Sequence, residues 1–166
     1  MATKFHYEQS YDADPTVVWA MLSDPAFITS KCERTGSRET TVDVTEDGQG
    51  GFTLVSKRVL PANLPSVAKP FVGDTLTVTE TQVWSAAAAD GSRTATTSVD
   101  FGAPMSFSAG MELRPSASGS TVVTDGQFKA SVPFVGGKIE GVAVDETTRY
   151  LEKEQQVGAE WLSGSR

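Results

Sequence analysis

Cysteine and histidine are nearly missing from this chain: Cys32 and His6 stand alone among 166 residues. One thiol rules out an intramolecular disulfide, so folding does not call for an oxidising compartment. No Cys or His pair has the spacing of metal ligands. A Ser-His-Asp triad would have to use His6, which alternation places opposite the aromatic face of its strand. Cys32 follows a short helix and reads as a packing residue, with no second thiol or histidine near it in sequence. Positive charge is also short, with 14 Lys and Arg against 21 Asp and Glu and a net charge of −7. Such a balance repels phosphate backbones and disfavours nucleic acid and anionic membrane surfaces as partners. No apolar run approaches the roughly 18 residues of a membrane span. The opening segment carries no apolar core of the signal-peptide kind, so the expected location is the cytoplasm. Gly48, Gly50 and Gly51 lie between two strand-like segments rather than opening a helix, so no phosphate-binding loop and no cofactor is implied.

What is present is an ordinary globular composition, 39% hydrophobic and 21% charged, at a length that supports one domain over residues 1–166. Lys4 to Tyr11 alternates, with Phe5, Tyr7, Gln9 and Tyr11 on one face, which predicts a half-buried strand. Asp14-Pro15 and Asp24-Pro25 each combine a capping carboxylate with a proline suited to the first helical position. They predict two short helices, the second ending near Gly36. From Gly36 the period changes to two. Strands are expected over 38–46, 52–60, 75–85, 93–101, 105–114 and 121–132, with turns at Asp47–Gly51, Asp90-Gly91 and Ser118-Gly119. Residues 61–74 form a proline-bearing connecting lobe with a helical turn at Ser66–Lys69. The tail from Val135 to Leu162 has no proline and places Val135, Ile139, Val142, Ala143, Tyr150, Val157 and Trp161 on one side of a helix. Lys138, Glu140, Arg149, Glu152 and Gln156 fall mostly elsewhere. Gly137 and Gly141, one turn apart, imply either close approach of another backbone or space kept vacant.

The order strand, two short helices, six strands, long helix resembles the helix-grip fold of the START-like (SRPBCC) superfamily. Asp14-Pro15-Thr16-Val17-Val18-Trp19 with the Asp24-Pro25 exit carries the resemblance. Leu64-Pro65-Ser66, Gly73-Asp74-Thr75-Leu76, Gly102-Ala103-Pro104-Met105, Val132 to Glu140 and Glu160-Trp161-Leu162 are similar to an actinobacterial branch catalogued as a domain of unknown function. The resemblance implies an α+β fold, a curved antiparallel sheet of about seven strands wrapped around the C-terminal helix, with a hollow between them.

Polar residues on inferred inward faces mark candidate chemistry. Glu80 and Gln82 share the parity of Leu76, Val78 and Trp84. Arg58 shares that of Phe52, Leu54 and Leu60, although Val55 and Val59 support the other face. Glu146 falls between Ile139 and Tyr150. A charge without a partner in a dry interior is costly. Arg58 and Glu80 therefore pair across neighbouring strands, reach water, or meet the polar end of a ligand. The candidate ligand-contacting set is Tyr7, Tyr11, Arg58, Phe71, Val78, Glu80, Trp84, Phe107, Ile139, Val142, Glu146 and Tyr150. Leu60, Leu64, Val67, Phe71 and Val72 make the lobe either a lid over the open end of the grip or a plug in it. Three functions stay open. The first is a binding protein for a small hydrophobic or lipid-like molecule, acting as a monomer or weak homodimer. The second is an enzyme of the polyketide cyclase or aromatase kind. The third is a partner-binding module with a filled cavity.

Overall fold

The computed structural model describes residues 2–63 and 66–164, with the side chain of Val67 also outside the description. Seven strands form one antiparallel sheet: β1 (Thr3–Tyr11), β2 (Thr40–Glu46), β3 (Phe52–Pro61), β4 (Thr75–Trp84), β5 (Arg93–Asp100), β6 (Met105–Ser116) and β7 (Gly119–Ala130). Their spatial order is β1-β7-β6-β5-β4-β3-β2. Helices α1 (Pro15–Leu22) and α2 (Pro25–Arg34) follow β1, and a 3-10 turn (Ser66–Ala68) runs into the short α3 (Lys69–Val72). Helix α4 (Gly136–Leu162) has 27 residues, which at 1.5 Å per residue gives about 40 Å, enough to cross the sheet. This is the expected helix-grip α+β fold.

The local signals act as physical chemistry requires. The Asp14 carboxylate accepts from the amides of Thr16 at 2.9 Å and Val17 at 3.1 Å, and Asp24 accepts from Ala26 at 2.9 Å. Asp14→Ala will lower stability by about 1 kcal/mol, the usual worth of such a cap, read as a shifted urea midpoint with unchanged slope. In β1, Phe5, Gln9 and Tyr11 are buried and Tyr7 half-buried, while His6 is exposed and bonds Asp125 across the β1–β7 pair. The sheet's turns depend on glycine at Gly119, whose φ is +143° and where a Cβ would lie 2.5 Å from the Tyr11 carbonyl oxygen.

Two apolar clusters fill the grip. One gathers α1, α2 and the far half of α4 around Tyr11, Val18, Phe27, Leu54, Trp84, Leu113 and Val157. The other gathers Phe5, Ala68, Val78, Val99, Phe107, Phe128, Val132, Ile139 and Ala143 where α4 begins. Three expectations need correction. Glu140 does not face away: it is 2% exposed, accepting from Thr3 Oγ1 at 2.6 Å and from the Ala130 amide at 2.8 Å. Gly137 and Gly141 meet nothing within 4 Å and are exposed, so neither marks a close approach. That role belongs to Gly158, where a Cβ would sit 2.6 Å from the Tyr11 ring. The lobe is neither simple lid nor simple plug, since Ala68 is fully buried and Phe71 is 55% exposed. Leu64, Pro65 and the side chain of Val67 lie outside the described residues.

Candidate functional site

A cavity of about 570 Å³ lies between the concave face of the sheet and α4, within the size range of small-molecule sites. Its walls alternate out of the strands: Leu76 and Val78 from β4, Val99 from β5, Met105 and Phe107 from β6, and Phe128 from β7. Period two puts these residues on one face, and the curvature of the sheet turns that face inward. Ala143, Thr147, Tyr150, Leu151 and Glu154 of α4 form the roof. Arg34, Gly36, Pro61, Asn63 and Arg149, all exposed, supply the rim. Two of the rim cations are neutralised locally, Arg34 by Glu160 at 2.6 Å and Arg149 by Glu146 at 2.5 Å.

One wall is polar and organised around Arg58, which is 6% exposed. Its Nη1 donates to Tyr150 Oη at 2.6 Å and lies 3.7 Å from the Cys32 sulfur, and its Nη2 is 3.5 Å from Glu80 Oε2. The guanidinium carbon also sits 4.5 Å from the centre of the Tyr150 ring, in cation–π range. Glu80 accepts a second bond from Gln82 Nε2, and Gln82 in turn accepts from Trp84 Nε1 at 2.8 Å. Burial works against the Arg58 charge, and Tyr150 and Glu80 more than offset it, holding the guanidinium above its ordinary pKa. Burial also pushes the Tyr150 phenol up, against the pull of Arg58 and Lys31, so it keeps its proton at neutral pH.

Two donors on this wall are left unused. Arg58 Nε is buried and has no partner among the described residues. Tyr150 Oη accepts from Arg58, and no acceptor for its own proton is found among the described residues. Glu80 uses one oxygen on Gln82 and the other on Arg58. The unused Arg58 and Tyr150 donors match an acceptor oxygen, beside a carboxylate that is already engaged by two donors.

Of the expected contact residues, Arg58, Val78, Glu80, Phe107, Glu146 and Tyr150 line this cavity. The other six do not. Tyr11 and Trp84 are 2% exposed and belong to the opposite apolar cluster. Tyr7 is half-buried and stacks on Phe5, with ring centres 6.5 Å apart. Ile139 is sealed beneath the start of α4, Val142 is half-buried off the cavity, and Phe71 points to solvent. Sequence reasoning missed Glu154, which is buried and lines the roof while pairing with Lys31 at 3.1 Å. It also missed Thr97, Val99, Met105 and Phe128, whose strand parity was the available signal. Among the described residues no group of three or more His, Cys, Asp or Glu is placed to hold a metal ion, and no helix is long and apolar enough to cross a membrane.

A family model described as a protein of unknown function, DUF2505, matches residues 6–162. No curated protein matches the sequence. Among solved structures the chain is similar to TTHA0849 from Thermus thermophilus, with a TM-score of 0.66, 13% identity and 98% of each chain covered. It is similar to the Zhui aromatase/cyclase from Streptomyces sp. R1128, with a TM-score of 0.64, 11% identity and coverage of 98% of this chain and 94% of that one. Norcoclaurine synthase from Thalictrum flavum, in complex with dopamine and hydroxybenzaldehyde, aligns with a TM-score of 0.57 at 11% identity over 100% of this chain and 89% of that one. At such identities the likeness is one of fold.

Proposed function

We propose that this chain, which belongs to the DUF2505 family of proteins of unknown function, binds a small hydrophobic or lipid-like molecule between its sheet and its C-terminal helix. The observation that carries the reading is the cavity of about 570 Å³, apolar on most walls and donor-rich on one. Apolar burial at roughly 25 cal/mol per Å² supplies the affinity, and the Arg58–Tyr150 wall orients one acceptor oxygen. The similar norcoclaurine synthase structure holds two aromatic molecules, dopamine and hydroxybenzaldehyde, which supports an aromatic or lipid-like guest in a grip of this shape. The same reading has the chain act as a single domain in the cytoplasm, as a monomer or weak homodimer.

Native mass spectrometry and titration with an environment-sensitive naphthalene fluorophore test it. Val99 is 8% exposed and lines the cavity, so Val99→Trp fills the space. Its expected effect is at least about tenfold weaker uptake with the fold retained by circular dichroism. A folded wild-type protein that takes up no apolar probe, or a Val99→Trp variant that binds as wild type does, removes the reading.

The Arg58–Glu80–Tyr150 wall also favours a second reading, an enzyme of the cyclase or aromatase kind, in which donors beside a carbonyl steady a developing enolate. Intact turnover in Glu80→Gln would take away its acid. A partner module with a filled cavity draws no support from a cavity that is open.

A further inference from the structure

Phe134 is the one non-glycine residue with positive φ, at +66°, among the described residues, and its side chain is fully in water at 107% relative exposure. A bulky residue in the left-handed region is strained, and strain of this kind persists where the surroundings impose it. The surroundings here are Val132, buried, and Val135, partly packed, which anchor the loop on both sides and leave Phe134 projecting. Ala68 belongs to the same apolar cluster, and Phe71, three residues on, is 55% exposed.

Topology puts both aromatics at one end of the molecule. In an antiparallel sheet the connections after β3, β5 and β7 share an end, and α4 starts there. The Ser131 amide bonds the Pro104 carbonyl at 2.8 Å, tying two of those connections together. Pro61 and Asn63 of the Phe71 lobe also form part of the cavity rim. Charge is segregated along the same axis. Lys4, Arg38, Lys69, Lys129 and Lys138 are exposed at this end against Glu39, Asp74 and Asp100, while Asp12, Asp14, Glu46, Asp47 and Asp90 are exposed at the other against Arg114. The net charge of −7 conceals a locally cationic face.

We infer that this end docks on the surface of an anionic lipid bilayer, with Phe71 and Phe134 entering the interface and the lysines over the headgroups. Aromatic tips flanked by lysines are the chemistry of interfacial anchoring. Separate protrusions from two loops suit a fluid surface, whereas a stable protein partner needs about 1,200 Å² or more of complementary contact. Docking here places the cavity rim against the source of an apolar guest, though the inference stands without the cavity reading.

Flotation with vesicles of phosphatidylglycerol and phosphatidylcholine, against phosphatidylcholine alone, tests the inference. The wild-type chain will float with the anionic vesicles and lose them at high salt. The double variant Phe71→Ser/Phe134→Asn will partition at least about tenfold less; asparagine tolerates the left-handed backbone, so the loop is kept. Lys69→Glu/Lys138→Glu will lose the preference for anionic lipid. Val83→Ser, at an exposed apolar residue of β4 toward the opposite end, will bind as wild type does. Absent wild-type binding, or a phenylalanine double variant that binds unchanged, overturns the inference. So does light scattering that finds a wild-type dimer dissolved by that variant, because the face would then be a contact between copies of this chain.

Discussion

Lys31→Met will destabilise the chain by about 3–5 kcal/mol, and Glu154→Leu by a similar amount, yet the double variant will recover most of the loss. Lys31 Nζ lies 3.1 Å from Glu154 Oε2, with side chains only 5% and 8% exposed. Taking both charges from water costs several kcal/mol each, and their attraction offsets that cost only while both are present. Removing one leaves the other stranded beside Phe27 and the cavity roof. Gln9, which donates to Glu154 at 3.3 Å, keeps the Leu151 carbonyl at 3.1 Å in every variant, so the double variant strands no further group. Burial alone would lower the Lys31 pKa; Glu154, with smaller contributions from Tyr150, Glu80 and Cys32, more than offsets it, and the group is held above the ordinary lysine value. A raised pKa stabilises the fold below the unfolded value and is lost only as pH rises through the folded one, so the penalty will be flat across neutral pH. Urea unfolding of the four proteins gives the coupling energy. Single variants that each lose under about 1 kcal/mol and add in the double would show the pair to be wet.

This pair also shows where sequence reading stops. Lys31 and Glu154 are 123 positions apart, and each looks like a solvated charge on its own helix. Glu140 reads as outward because its position on the helix wheel does not show that Thr3 and the Ala130 amide, from the two neighbouring strands β1 and β7, cover it, and Glu154 carries no inward signal of its own. Strands were far more legible. A period of exactly two does not drift, so β4 showed Leu76, Val78, Glu80, Gln82 and Trp84 on one face, and β3 showed Arg58 beside Phe52 and Leu54. The structure buries or half-buries that face in both. Parity tells which face turns inward but not how far along it the cavity runs. Trp84 shares the parity of Val78 and Glu80, yet sits two residues beyond Gln82 in the other apolar cluster. Tyr11 differs from Phe5 in the same way: Phe5 lines the cavity and Tyr11 is packed against Gly158. Position along a strand relative to a crossing helix is set by long-range packing, which no local pattern encodes.

Stripping the polar wall of its charges, with Arg58→Met and Glu80→Gln together, will weaken binding of acetylnaphthalene by about 10–100-fold and leave ethylnaphthalene bound as tightly or more tightly. The two probes match in shape and differ in a carbonyl oxygen, so the ratio of their affinities isolates the donors. Arg58 Nε, buried without a partner among the described residues, and the Tyr150 hydroxyl proton are the groups a carbonyl would satisfy. The double variant keeps the Tyr150 hydroxyl and removes the charged donor; one hydrogen bond from a charged group, at roughly 1.5–3 kcal/mol, converts to that range at 1.4 kcal/mol per decade. Changing both partners avoids the stranded carboxylate that Arg58→Met alone would leave, since Glu80 Oε2 lies 3.5 Å from the guanidinium, and the fold should hold to within about 1 kcal/mol. Glutamine at position 80 still accepts from Gln82, so the Trp84–Gln82 bond keeps its support. Tyr150→Phe removes one neutral donor and will cost the ketone about 2–12-fold, again sparing the hydrocarbon. If both probes weaken in parallel, the wall is acting through packing; if neither changes, the cavity holds its guests elsewhere, and the donor-rich wall has no part in choosing them.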